Sequence, residues 1–403
     1  MDKFIKWEKN QLPKSAIKNC ADILSVEEVT KAKKFHESFP EYTETPLVKL
    51  DVLAKKIGIG GLYLKDESYR FGLNAFKVLG GSYSMGKYMA QRLGKDISEL
   101  GYAELIKPEV KAKIGEITFY TATDGNHGRG VAWTANRLGQ KSVVYMPKGS
   151  SEFRLQMIKN EGAEASITDM NYDDAVRLAA KNAAANNGLV VQDTAWEGYT
   201  EIPTWIMQGY GTMALEAVDQ LKGYGVDKPT HVFVQAGVGS LAGGVQGVIV
   251  NTFGTDVKTI IVEANLADCL YKSAVAKDGK PHNVGGDMAT IMAGLACGEP
   301  NIISWEILKT YSDTFVSCPD WVAANGMRVL GNPLKGDSQV ISGESGAVTT
   351  GLVYEIMTNP DYKALKESLE LNETSKVLVF STEGDTDPKK YREIVWEGGY
   401  TRD

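Results

Sequence analysis

Several short runs in this 403-residue chain are apolar almost continuously instead of at alternate positions: residues 117–121, 142–146, 189–192, 231–235, 259–262 and 376–381. A strand with one face in water alternates. A strand buried on both faces does not, and sheets covered on both sides by helices are built mainly of parallel strands joined by helical crossovers. Helical stretches lie between the runs, among them 81–93 with Gly94 as its stop, 127–138 and 151–161. The predicted fold class is therefore α/β, with helix-covered, mainly parallel sheets. No repeat or long linker divides the chain. The best candidate for a domain boundary is Thr194 to Thr200, where strand signal gives way to an aromatic-rich turn and a long helix.

Ahead of the first such run, residues 1–45 are polar, and Ser25-Val26-Glu27-Glu28 has the spacing of a capping box opening a helix. Residues 47–50 and 62–65 read as strands around a small helix. The net charge of -7, with no basic block, argues against a nucleic-acid partner. No apolar run reaches membrane-spanning length and the first residues do not form a leader, so a cytoplasmic location is expected. Cys20, Cys269, Cys297 and Cys318 stand far apart without a C-x-x-C, so neither a metal site nor a disulfide framework is indicated. They are expected to be reduced, although Cys269 and Cys297 both fall between late strands and could approach each other. What remains is an enzyme or binder for a small molecule.

Three stretches carry chemistry. In Asn74-Ala75-Phe76-Lys77-Val78-Leu79-Gly80-Gly81, apolar neighbours would desolvate the Lys77 ammonium, lower its pKa and favour the neutral amine that a Schiff-base nucleophile needs. Gly80 and Gly81 would let the chain turn tightly there. A lysine snorkelling from a helix start would read the same way. The run 231–235 leads into Ala236-Gly237-Val238-Gly239-Ser240-Leu241-Ala242-Gly243-Gly244, a glycine turn opening a helix, whose amides suit a phosphate. Gly237-x-Gly239-x-x-Ala242, with Glu263 ending the next strand, also fits a dinucleotide fingerprint, and on this stretch alone NAD is favoured. Finally, Thr121-Ala122-Thr123-Asp124-Gly125-Asn126-His127-Gly128 again joins strand to helix and offers hydroxyls and amides to a substrate carboxylate. Two anion loops and a desolvated lysine suit a cofactor with one phosphate and one aldehyde better than a dinucleotide.

Together with Gly343-Glu344-Ser345-Gly346-Ala347 and Phe380-Ser381-Thr382-Glu383-Gly384, these stretches resemble the tryptophan-synthase-β-like, fold type II pyridoxal-phosphate enzymes over nearly the whole chain. Residues 71–77, 121–133 and 193–199 look more narrowly like the diaminopropionate ammonia-lyases. The resemblance implies two domains, a large one from 1–80 and 196–403 and a small one from 81–195, and a homodimer. It implies that Lys77 carries the cofactor beside Phe76, that Gly237, Val238, Gly239, Ser240, Leu241 and Gly243 cup its phosphate, and that Asn126 meets its 3′-oxygen. Thr382, in preference to Ser381, would face the ring nitrogen as a neutral partner. Such a partner leaves that nitrogen unprotonated and favours prompt β-elimination. Thr121, Thr123, Asp124, Gly125 and Asp193 would bind the amino-acid substrate, with Asp124 and Asp193 joining Lys77 in catalysis. Asp124, where dehydratases have a small residue, would meet a β-ammonium, although on position alone it reads as a helix cap. Asp193 read alone is a turn residue after a strand. The expected reaction is elimination of ammonia from 2,3-diaminopropionate; the alternatives are a serine or threonine dehydratase and, further off, an NAD dehydrogenase.

Overall fold

The computed structural model describes residues 3–402. Its strands are β1 (Lys6–Lys9), β2 (Leu47–Lys49), β3 (Gly61–Asp66), β4 (Thr118–Ala122), β5 (Lys141–Met146), β6 (Glu164–Ile167), β7 (Leu189–Val190), β8 (His231–Gln235), β9 (Lys258–Ala264), β10 (Thr314–Cys318) and β11 (Lys376–Ser381). They form two sheets, of order β1-β10-β9-β8-β11-β3-β2 and β6-β5-β4-β7. The smaller sheet is parallel throughout; the larger is parallel except for its two edge strands. The runs that form β8, β9 and β11 lie inside the larger sheet and are buried on both faces, as such strands require, whereas β5 is buried at alternate residues and β7 is a half-buried edge strand.

The run expected at 189–192 stops as a strand at Val190. The Gln192 side chain takes over the pairing, accepting from Ala122 N at 3.0 Å and donating to Ala122 O at 3.2 Å. Three strands had no continuous apolar signature: β1 lies on an edge, β6 is half exposed, and β10 mixes threonine and serine with its apolar residues.

A second departure concerns the glycine pair after Lys77. The helix Val78–Leu93 starts three residues before the expected 81, so Gly80 and Gly81 lie within it and make no turn. Gly80 serves close packing, whereas a Cβ on Gly81 would meet nothing nearer than 3.6 Å. A Cβ on Gly80 would stand 2.6 Å from both Ile206 and Tyr210, and one on Gly209 only 2.3 Å from Leu79 O. Helices Val78–Leu93 and Glu201–Gly223 therefore cross glycine to glycine, which brings the Tyr210 ring to 4.8 Å from that of Phe76, beside Lys77. Gly94 does stop the first helix, at φ 69°.

The leading arm forms the helix Val26–Glu37, and Ser25 Oγ caps it by accepting from Glu28 N at 3.3 Å. Just beyond, Phe39 packs against Trp133 and Phe71, with ring centroids 5.6 Å and 5.8 Å away. This joins the arm to the segment that precedes Lys77. The same segment is pinned from beneath by a fully buried ionic cluster. Lys65 and Arg70 both reach Glu216 at 2.7 Å, and Arg70 reaches Glu67 at 2.8 Å. Two cations and two anions balance, which makes the burial of four charges tolerable. No helix among the described residues is long and apolar enough to cross a membrane.

Candidate active site

Lys77 stands at the N-terminus of helix Val78–Leu93, and its ammonium contacts the Asp193 carboxylate. Asp193 follows β7 and is 2 % exposed. It also accepts from Tyr210 Oη at 3.2 Å and Tyr172 Oη at 3.4 Å, while Ser240 Oγ donates to its backbone oxygen. Burial works against the Lys77 charge, as its apolar neighbours suggested. Asp193, and then Asp124, outweigh that effect and hold the lysine above its ordinary pKa. The expected lowering is thus reversed, because the opposing carboxylate comes from a distant stretch that local reading does not supply. Burial likewise pushes the Asp193 carboxyl up, and the facing Lys77 ammonium more than offsets it, leaving the group well below the usual carboxylate range.

The glycine loop runs from β8 into helix Ser240–Phe253, with Gly239 at φ 100°, where only glycine is unstrained. A Cβ there would also lie 2.7 Å from Ser304 Oγ. Gly237, Val238, Gly239, Ser240 and Leu241 line the same cleft as Phe76, Lys77, Asn126, Asp193 and Thr382. Gly243 does not line it; a Cβ on Gly243 would collide with Ser304 and Met207, so this glycine serves helix packing. Glu263, the acid of the dinucleotide reading, is fully buried and accepts from Leu270 N at 2.8 Å and Tyr271 N at 2.6 Å. Held at the start of the next helix, it has no ribose to offer itself to, and the NAD reading loses its second element.

In the other loop, Thr123 does the capping: its hydroxyl accepts from Gly125 N at 2.9 Å and Gly128 N at 3.0 Å. Thr121 donates to Gln192 Oε1 at 3.0 Å. Asp124 is thereby left free of the cap role that position alone suggested. Its Oδ2 is buried without a hydrogen-bond partner, with Arg154 Nη1 at 3.8 Å. Thr121, Thr123, Asp124 and Gly125 stand outside the ring of lining residues, Asp124 at its edge beside Gly294 and Ser345. Asn126 is in the ring and donates to Glu383 Oε2 at 2.5 Å. Of the two hydroxyls considered for the cofactor ring, Thr382 lines the cleft, whereas Ser381 is buried and spent on Ser342 at 2.8 Å.

Sequence reading missed Gln235, Tyr210, Arg154, Cys297 and the side chain of Glu383. Gln235 carried a signal, a polar residue closing an apolar strand; Tyr210 and Arg154 lie within ordinary helical patterns and carried none. Cys297 lines the cleft, and all four cysteines are free and buried.

One amine, a glycine-lined helix N-terminus and a neutral hydroxyl in a single cleft fit pyridoxal phosphate. Residues 39–382 match the family described as "Pyridoxal-phosphate dependent enzyme". A diaminopropionate ammonia-lyase of Salmonella typhimurium is 56% identical over 90% of this chain and 91% of its own. The crystal structure of diaminopropionate ammonia lyase from Escherichia coli in complex with D-serine superposes with a TM-score of 0.92 at 49% identity, covering 99% of both chains. The same enzyme in complex with an aminoacrylate-PLP azomethine reaction intermediate gives 0.90 at 48% identity, again over 99% of both. With the family match, the sequence identity and the whole fold in agreement, the chain belongs to the diaminopropionate ammonia-lyase family of pyridoxal-phosphate dependent enzymes.

Proposed function

We infer that this enzyme eliminates ammonia from 2,3-diaminopropionate, the product hydrolysing to pyruvate and a second ammonia. The observation that carries the reading is the meeting of Lys77, Asp193 and the Gly237–Ser240 loop in one cleft, with Asp124, one oxygen of which has no hydrogen bond, at its edge. When bound, pyridoxal phosphate supplies an aldehyde for the substrate's α-amino group and a ring that withdraws electrons from Cα. Lys77 would hold the cofactor, the amides of the glycine loop would take its phosphate, and Asn126 and Thr382, both lining the cleft, would meet its 3′-oxygen and ring nitrogen. Lys77, once released, takes the Cα proton of the L-isomer from one face; Asp124 takes that of the D-isomer from the other. Asp124 also selects the substrate. A buried carboxylate oxygen without a hydrogen bond, such as Asp124 Oδ2, is costly, and a β-ammonium satisfies it and departs as neutral ammonia. Asp193 receives the Lys77 ammonium that forms when the released, neutral amine has taken the Cα proton. A panel of diaminopropionate, serine and threonine tests the reading: release of pyruvate from diaminopropionate must exceed that from serine, and a preference for serine or threonine would move the enzyme to the dehydratases.

The same reading takes residues 81–195 as the small domain, supported by its separate sheet, and the enzyme as a cytoplasmic homodimer. Light scattering at working concentration checks the dimer; a monomer would refute it.

A further inference from the structure

Gly294 is the middle residue of a single helical turn, Ala293–Leu295, and it lines the cleft together with Ser345. Its φ lies outside the left-handed region, so the backbone there does not require glycine, and what the missing side chain leaves is room. A Cβ on Gly294 would stand 3.0 Å from Ser345 Oγ and 3.9 Å from Asp124 Oδ2, with Ser345 Cβ at 3.5 Å as its other near neighbour. The open face of Gly294 thus looks onto two oxygen atoms. Ser345 is buried, and its backbone N–H is fixed by donating to Glu383 Oε1 at 3.0 Å. Its hydroxyl accepts from Gly294 N at 3.2 Å, which uses one of two acceptor positions and leaves the second for a ligand. Asp124 Oδ2 is buried without a hydrogen bond, and Arg154 Nη1 at 3.8 Å stays beyond reach. A notch edged by a carboxylate and a hydroxyl repels an anion and suits a small group with several protons to give.

We propose that Gly294 and Ser345 are specificity-determining residues that complete, with Asp124, the subsite for the substrate's β-ammonium: Gly294 leaves the room, and Ser345 Oγ and Asp124 Oδ2 each accept one of its protons. The proposal rests on the reading of diaminopropionate as substrate made above. An ammonium has three protons and satisfies both oxygens at once. The β-hydroxyl of serine has one proton, so it leaves one of the two oxygens without a partner, and the preference for diaminopropionate follows.

The test compares diaminopropionate with serine on the holoenzyme, and measures beside them the cofactor's dissociation constant and inhibition by alanine, which has no β-substituent. Ser345→Ala should keep the cofactor and lower kcat/KM for diaminopropionate by about tenfold to hundredfold, the range of a hydrogen bond to a charged group, and for serine by less. Gly294→Ala should raise KM for diaminopropionate by about tenfold, as an overpacked site does, while alanine inhibits as it does the parent. Equal losses for diaminopropionate and serine in Ser345→Ala would overturn the proposal and leave Ser345 as a brace for the 293–295 turn. Equal weakening of alanine and diaminopropionate in Gly294→Ala would overturn it too. A parent that prefers serine would refute the substrate reading, and the proposal with it; a parent that prefers diaminopropionate, with variants that keep its preference, would refute the proposal alone. Should the variants lose the cofactor, a crystal structure of the unmodified holoenzyme frozen with diaminopropionate decides. The β-nitrogen is expected within hydrogen-bond reach of Ser345 Oγ; the substrate carboxylate in that place would overturn the proposal.

Discussion

Asp193 and Asp124 lie in one site and are placed for different work. Asp193 is tied to Lys77, Tyr210 and Tyr172, whereas Asp124 has an unpartnered oxygen and an arginine just beyond hydrogen-bond reach. Asp193→Asn in the cofactor-free chain should cost about 3–5 kcal/mol, the usual price of breaking a buried ion pair. The pH dependence follows from the direction of the two shifts. Asp193 is held low, so its contribution is present above an unfolded pKa of about 3.9 and is lost as pH falls through the folded value. Lys77 is held high, so its contribution is full below an unfolded pKa of about 10.4 and is lost as pH rises through the folded one. Denaturant titrations should therefore show the parent's advantage over Asp193→Asn undiminished near neutrality and shrinking in strong acid; an advantage that grows as pH falls would refute the pairing. Asp124→Asn keeps size and most hydrogen bonding, so the cofactor should still bind. Turnover of D-diaminopropionate should fall by roughly two to four orders of magnitude, the contribution of a positioned base, and that of the L-isomer by less. Equal losses for both isomers would make Asp124 a binding group only.

Among the elements, the crossing of helices Val78–Leu93 and Glu201–Gly223 decides where Lys77 sits. Gly209 faces Leu79 O so closely that a methyl group has no room, and the obstacle is backbone that cannot rotate away. Gly209→Ala should push the helices apart and lower stability by about 1–3 kcal/mol, the ordinary cost of overpacking, with a fall in cofactor affinity as Tyr210 is drawn away from Asp193. Calorimetry and cofactor titration together check it; unchanged values for both would show that the crossing is loose. The local elements were legible where a simple pattern set them. The runs 231–235 and 376–381 became β8 and β11 at their predicted limits, and Ser25 and Gly94 mark helix ends as their chemistry requires. The glycine pair was misread because a glycine that admits a neighbouring helix and one that admits a turn look alike in sequence.

Across the whole molecule, the parallel sheets, the lysine and the two strand-to-helix loops were all readable from the chain, since each rests on residues adjacent in sequence. What was not readable is what adjacency cannot carry. Asp193 meets Lys77 across 116 residues and reverses its expected charge preference. Glu263 spends its carboxylate on Leu270 and Tyr271, which removes the acid from the dinucleotide reading. Gln235 comes under Thr382 only because β8 and β11 pair side by side. The central claim remains that Lys77 is the amine that carries the cofactor, and it is open to a direct measurement. Borohydride reduction of the yellow, cofactor-loaded enzyme followed by peptide mapping should leave the pyridoxyl mass on the peptide containing Lys77 and abolish the visible band. A pyridoxyl mass on any other lysine, or a colourless protein that takes up no pyridoxal phosphate, would contradict the account.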